Sequence, residues 1–139
     1  MLFRSFIRGN FFIPDARKGW NRYAFYKACQ LIQEQSIDTV VISSPPHSSQ
    51  LIGLKLKKKF PALNWIADLR DPWTDIYYYP QMMHTGAAKA LDKSYERRVL
   101  EECDSVIVVS ADIKRLFLQK SSKLTADKIH IIPNGFDVC

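Results

Sequence analysis

Four short apolar runs constrain the fold more than any other feature: "DTVVIS" at 38–43, "NWIADL" at 64–69, "SVIVVS" at 105–110 and "KIHIIP" at 128–133. β-Branched runs of this length, without polar alternation, read as strands buried on both faces in a parallel sheet. Each is followed or preceded by a segment with helical periodicity, at 20–36, 47–60, 86–102 and 111–120. In the first, Ala24, Ala28, Leu31 and Ile32 form an apolar stripe; in the second, Leu51, Ile52, Leu54, Leu56 and Phe60 oppose a lysine run, behind serines suited to capping. In the third, Leu91, Tyr95, Val99 and Leu100 mark the inner side, and Lys89, Lys93 and Arg97 mark another.

Helix, then strand and helix three times, then strand, specifies α/β architecture. The expectation is a partial Rossmann-like, doubly wound parallel sheet of about four strands with flanking helices. The length of 139 residues fits one domain. If every crossover is right-handed and steps the same way, all four helices fall on one sheet face and the other is bare. That face, with the free edge of the first strand, then drives self-association unless "LFRSFIRGNFF" folds back over it.

Composition removes several classes. Hydrophobic residues at 47% exclude a disordered chain. Three scattered cysteines, without metal-ligand spacing, indicate neither a disulfide framework nor a zinc site, and fit a reducing, cytoplasmic setting. No apolar run reaches the ~18 to 20 residues that span a bilayer. A net charge of +6 favours anionic partners: a nucleotide, a membrane surface or nucleic acid. Walker A, HExxH, GxSxG and GxGxxG motifs are absent.

In parallel sheets ligands bind at the carboxyl ends of the strands. Those ends read "SSPPHSS", "ADLRDPW", "VSAD" and "IPNGFD", gathering the distinctive polar residues on one rim. His47 is either a ligand-facing base or hydrogen-bonding group, or an exposed turn residue. Asp68, at the end of a buried strand, needs a donor, whether a ligand or Arg70. Arg70 and Asp71 read as an internal ion pair over Pro72 and Trp73, with Arg70 also suited to a phosphate. Asn134 and Gly135 fit a turn requiring positive φ. The aromatic loop "RDPWTDIYYYPQMMHTG" is long enough to be functional. Its Tyr77 to Met83 portion, with Lys89, Lys93 and Arg97, suits peripheral contact with anionic lipid.

Taken together, "SPPHSSQLIGLKLKKKFPALNWIADLRDPW", "CDSVIVVS" and "IPNGFD" resemble the amino-terminal domain of group 1, family-4-like glycosyltransferases of the GT-B fold, from about residue 12 to 137. The resemblance implies that residues 1–139 are a single, incomplete Rossmann-like domain on the acceptor side of a cleft. The first strands, with their glycine-rich loop, would precede residue 1, and a donor-binding carboxyl-terminal domain would follow. It implies hexosyl transfer from a nucleotide-sugar donor to a saccharide or lipid-linked acceptor in cell-envelope polysaccharide synthesis, with retention common. The donor is a substrate of the complete enzyme; no permanently bound cofactor, metal or nucleic acid is implied, and the excerpt alone would be inactive. In many relatives a histidine ends the strand matching "WIAD" and contacts the donor sugar, whereas here Asp68 holds that position and His47 lies one strand earlier. No catalytic residue is assigned, because the departing phosphate can assist the acceptor's proton transfer; His47, Asp68, Arg70, Asp71, Asn134 and Gly135 are the cleft candidates. The rival reading is a non-catalytic α/β module docking on anionic membrane or nucleic acid. A flavodoxin-like metal site at Asp68 and Asp71 lacks a third ligand cluster.

Overall fold

The computed structural model describes residue 7 and residues 9–135. Four strands, β1 (Thr39–Ser44), β2 (Asn64–Leu69), β3 (Ser105–Val108) and β4 (Ile129–Ile131), form one sheet. They lie in the order β1-β2-β3-β4 and every pairing is parallel. Helices α1 (Asn21–Glu34), α2 (Gln50–Lys59), α3 (Gly86–Glu102) and α4 (Ala111–Leu118) precede and connect them. Sequence neighbours are spatial neighbours, so all three crossovers step the same way, as in one wing of a doubly wound sheet.

Register fixes which side chains share a face. Val40 pairs with Trp65, Ile42 with Ala67, Ala67 with Val106, and Val106 with Ile129. Trp65, Ala67, Val106 and Ile129 pack with Leu54, Val99, Leu100 and Phe117 into the main core. A second cluster sets Cys29 and Ile32 of α1 against Ile52, Leu56 and Leu63. α2 approaches the sheet so closely that a Cβ at Gly53 would overlap the indole of Trp65, which is fully buried. Fully burying such side chains is worth about 2 to 3 kcal/mol each, so the helical face supplies most of the stability.

The alternate positions, Thr39, Val41 and Ser43 on β1, Asn64, Ile66 and Asp68 on β2, Ser105 and Ile107 on β3, and His130 on β4, share the opposite face. Val41 is 58% exposed, so β1 is not buried on both faces as its continuous apolar run indicated. The reason is the one-sided helical layer, which a β-branched run cannot report. Within "LFRSFIRGNFF", Asn10 donates to the Met83 carbonyl (3.1 Å) and accepts from the Thr85 amide (2.7 Å). The described part of that segment therefore lies beside the loop after β2; residues 2–6 and 8 are outside the described residues.

Two local expectations change. The serines before α2 do not cap it with their own hydroxyls. Asp15, 33 residues earlier, accepts from the Ser48 amide and hydroxyl, both at 2.8 Å, and so serves the chain's entry into that helix. On α3, Leu91 is exposed, while Asp92 and Glu96 lie buried in line with Ala88 and Val99. Polar donors from the loop after β2 meet those carboxylates and displace the aliphatic stripe from its expected line.

Candidate functional site

The rim at the strand ends is divided by the sheet. On the helical side, β1 ends at Ser44, Pro45 and Pro46 turn the chain, and a 3-10 turn from His47 to Ser49 leads into α2. Ser49 Oγ lies 3.1 Å from the Ser43 carbonyl and 2.6 Å from that of Pro46, while Asn21 Nδ2 donates to the Ser48 carbonyl at 2.6 Å. These bonds fix the place of His47. Its ring stacks on Trp73, with centroids 4.8 Å apart and planes inclined by 10°. Both rings line a cavity of about 360 Å³, together with Asp15, Tyr78, Tyr79 and Asp92.

Burial lowers the His47 pKa to about 4, despite the opposing fields of Asp71 and Asp15. His47 is therefore neutral at physiological pH. Its Nδ1 is enclosed without a hydrogen-bond partner among the described residues, so the less costly tautomer carries the proton on Nε2. The site sets a stacked aromatic wall and a neutral imidazole beside the side chains of Asp15, Arg17 and Asp92.

α3 anchors the aromatic loop. Asp92 accepts from Trp73 Nε1 and from the Tyr79 hydroxyl, both at 2.9 Å, and Tyr79 stacks on His84. One turn later Glu96 accepts from the Thr74 hydroxyl (2.6 Å) and from Lys120 Nζ (2.7 Å), and Lys120 also pairs with Asp75. Burial raises the pKa of both Asp92 and Glu96, outweighing their donors. It also pushes the Tyr79 phenol upward, reinforced by Asp92, so Tyr79 stays a donor. Sequence reasoning missed Asp92 and Glu96. The signal was available in Ala88, Asp92, Glu96 and Val99, spaced by three and four on one helical face.

On the uncovered side, Ser43 Oγ donates to Asp68 Oδ2 at 2.7 Å and Arg70 Nε reaches the same oxygen at 3.2 Å. Arg70 also bonds the Asn134 side chain, which ties the ends of β2 and β4 together. Asp68 Oδ1 is enclosed without a donor among the described residues. The expected Arg70 and Asp71 pair is thus replaced by Arg70 and Asp68, because Asp71 sits toward His47. Asn134 and Gly135 do not take positive φ; among the described residues only Ser36 and Met83 do. Asn134 is held instead by Arg70 as the chain leaves β4, and Gly135 is exposed with open space about its Cα.

The basic features also separate. Lys57 bonds the Leu63 carbonyl and Asp104, and Lys59 lies over Phe25 and Phe60. Lys93 and Arg97 border a cavity of about 390 Å³ that also holds Asp75, Glu96 and Lys120, so charges there largely cancel. Tyr77 and Met83 are exposed and Tyr79 is buried. Among the described residues no helix is long and apolar enough to cross a membrane.

A search of curated proteins finds no match to this chain. The family model described as Glycosyltransferase Family 4 matches residues 4–138, spanning both halves of the rim and all four strands. A parallel sheet with an aromatic cavity at its strand ends is the setting in which that match falls, and the chain belongs to Glycosyltransferase Family 4.

Proposed function

We propose that this chain forms the acceptor-binding side of a sugar transferase that uses a nucleotide-sugar donor and a saccharide or lipid-linked acceptor, in cell-envelope polysaccharide synthesis at the cytoplasmic face of the membrane. The observation that carries the reading is the neutral His47 stacked on Trp73 in the wall of the aromatic cavity. An acceptor sugar has apolar C–H faces for such rings and hydroxyls for the groups around them. In the complete reaction the acceptor hydroxyl oxygen bonds to the anomeric carbon, the bond to the nucleoside diphosphate breaks, and the hydroxyl proton passes to the departing phosphate. The configuration is retained, and the chain's part is to bind and orient the acceptor.

Titrating the chain with a panel of neutral mono- and oligosaccharides, followed by ¹H–¹⁵N NMR, tests this. The expected result is saturable shifts at residues 45–49 and 73–79, weakened at least tenfold in His47→Ala with the remaining spectrum unchanged. The chain alone is expected to turn over no nucleotide sugar. Tighter binding of nucleotide sugars than of any saccharide, or sugar transfer by the chain alone, would overturn the acceptor-side assignment.

A further inference from the structure

A groove of about 530 Å³ opens among the helices, lined also by Gly19 and Asn21. Its floor is α2, with Leu51, Leu54, Lys55 and Lys58; α1 and the turn before it contribute Lys18 and Arg22, and α3 contributes Tyr95 and Arg98. Among the described residues five cations line it and no carboxylate does. Their partners among the described residues are few. Lys18 reaches the Phe11 carbonyl, Arg22 and Lys55 lie over the rings of Tyr26 and Phe25, and Arg98 pairs with Glu102 at 2.9 Å. Holding five like charges around one groove, with Glu102 the one paired carboxylate among the described residues, costs folding energy that an external anion would recover.

Beyond Arg22 the exposed surface of α1 becomes aromatic. Tyr26 is 61% exposed, Tyr23 77%, and Trp20, at the helix start, 52%. Spaced by three, they continue around the helix from the groove's edge. Cations beside exposed Trp and Tyr match the headgroup layer of an anionic bilayer, where amphipathic rings lie level with phosphates. The apolar floor of Leu51, Leu54 and Tyr95 fits a glycerol and acyl stem better than a flat base stack.

We infer that this groove and the adjoining face of α1 dock the protein on an anionic phospholipid surface, with a headgroup phosphate held among Lys18, Arg22, Lys55, Lys58 and Arg98. The cavity beside Lys93 and Arg97 contains two carboxylates and is the weaker anion site. This docking surface is independent of the sugar-binding reading and can fail or hold without it.

Co-sedimentation with vesicles of phosphatidylcholine alone and of phosphatidylcholine with 30 mol% phosphatidylglycerol, at 150 mM salt, tests the inference. The expected result is binding to the anionic vesicles only, with brominated lipid quenching the fluorescence of Trp20, since Trp65 and Trp73 are buried. The Arg22→Glu/Lys55→Glu/Lys58→Glu variant should lose binding on the order of a hundredfold. A variant of equal charge, Lys89→Glu/Lys93→Glu/Arg97→Glu, should lose markedly less, about tenfold at most, because none of the three lines the groove. Circular dichroism checks that both variants fold, and a charge-neutral Lys55→Gln/Lys58→Gln protein serves if the triple reversal does not. Equal loss in the two triple variants, binding to neutral vesicles, or no vesicle binding would each overturn the inference. So would binding of inorganic phosphate or of a single-stranded oligonucleotide without binding of anionic vesicles.

Discussion

Protonating His47 should unfold part of the population, and the size of the effect follows from its surroundings. Its ordinary pKa of 6.5 falls to about 4 in the fold, with burial as the first cause. In the unfolded chain the imidazole takes a proton below pH 6.5, whereas in the fold it does so only near pH 4. The stability this group contributes is fully present above pH 6.5, is lost as pH falls toward 4, and is constant below. At about 1.4 kcal/mol per pH unit the whole loss is roughly 3 kcal/mol, and roughly 2 kcal/mol at pH 5. Asp92 and Glu96 act in the opposite direction: their raised carboxyl pKa values mean that stability rises as pH falls through their range. The difference between wild type and His47→Gln isolates the histidine. Urea unfolding from pH 7.5 to 4.5, followed by tryptophan fluorescence, should give a difference curve that favours wild type at pH 7.5 and shrinks below pH 6.5. A flat curve, or an NMR titration of His47 with its midpoint at 6.5 or above, would refute the burial argument and, with it, the neutral imidazole assigned to the cavity.

Asp92→Ala leaves the Trp73 and Tyr79 donors without an acceptor and should cost about 2 to 4 kcal/mol by urea unfolding; Asp92→Asn, which keeps one acceptor, should cost less. Gly53→Ala gains up to about 1 kcal/mol of helix propensity but forces a methyl into the Trp65 ring, so a net loss of about 1 to 2 kcal/mol is expected, and a raised Tm would contradict the close approach. Lys120→Met strands the Glu96 carboxylate in the interior and should destabilise by about 3 kcal/mol or more, partly recovered in Lys120→Met/Glu96→Gln. Self-association through the uncovered sheet face should appear in sedimentation velocity as a concentration-dependent dimer, and Val41→Lys should shift it to monomer; a monomer at all concentrations in wild type counts against that face.

The strands and helices were legible because each carries its own local signal: β-branched runs for the strands and apolar stripes for the helices. The rim was legible because parallel topology places every strand's carboxyl end on one side. What local patterns did not carry were the long-range polar bonds. Asp15 looks like any loop aspartate until the fold brings Ser48 to it. Asp92 and Glu96 look like solvated helix charges until Trp73, Tyr79, Thr74 and Lys120 arrive from elsewhere in the chain. Arg70 had two carboxylates within reach in sequence, and backbone direction, rather than charge, chose Asp68 over Asp71.

The division of the rim was implicit in the strand period. Ala67 and Leu69 face the helices, so Asp68 between them faces away, as does Ser43 opposite it. His47 lies past the strand on the helical side, against Trp73. Shared position at the strand ends therefore leaves His47 and Asp68 directed to different sides of the sheet. Asp68 already holds Ser43 and Arg70, and Arg70 holds Asn134, so this set braces the ends of three strands. At the position where resembling enzymes place a histidine, Asp68 is thus held through one carboxylate oxygen by Ser43 and Arg70. Asp68 Oδ1 has no donor among the described residues and stays available on its side of the sheet, while His47, past the end of β1, and Trp73, past the end of β2, line the aromatic cavity on the other side.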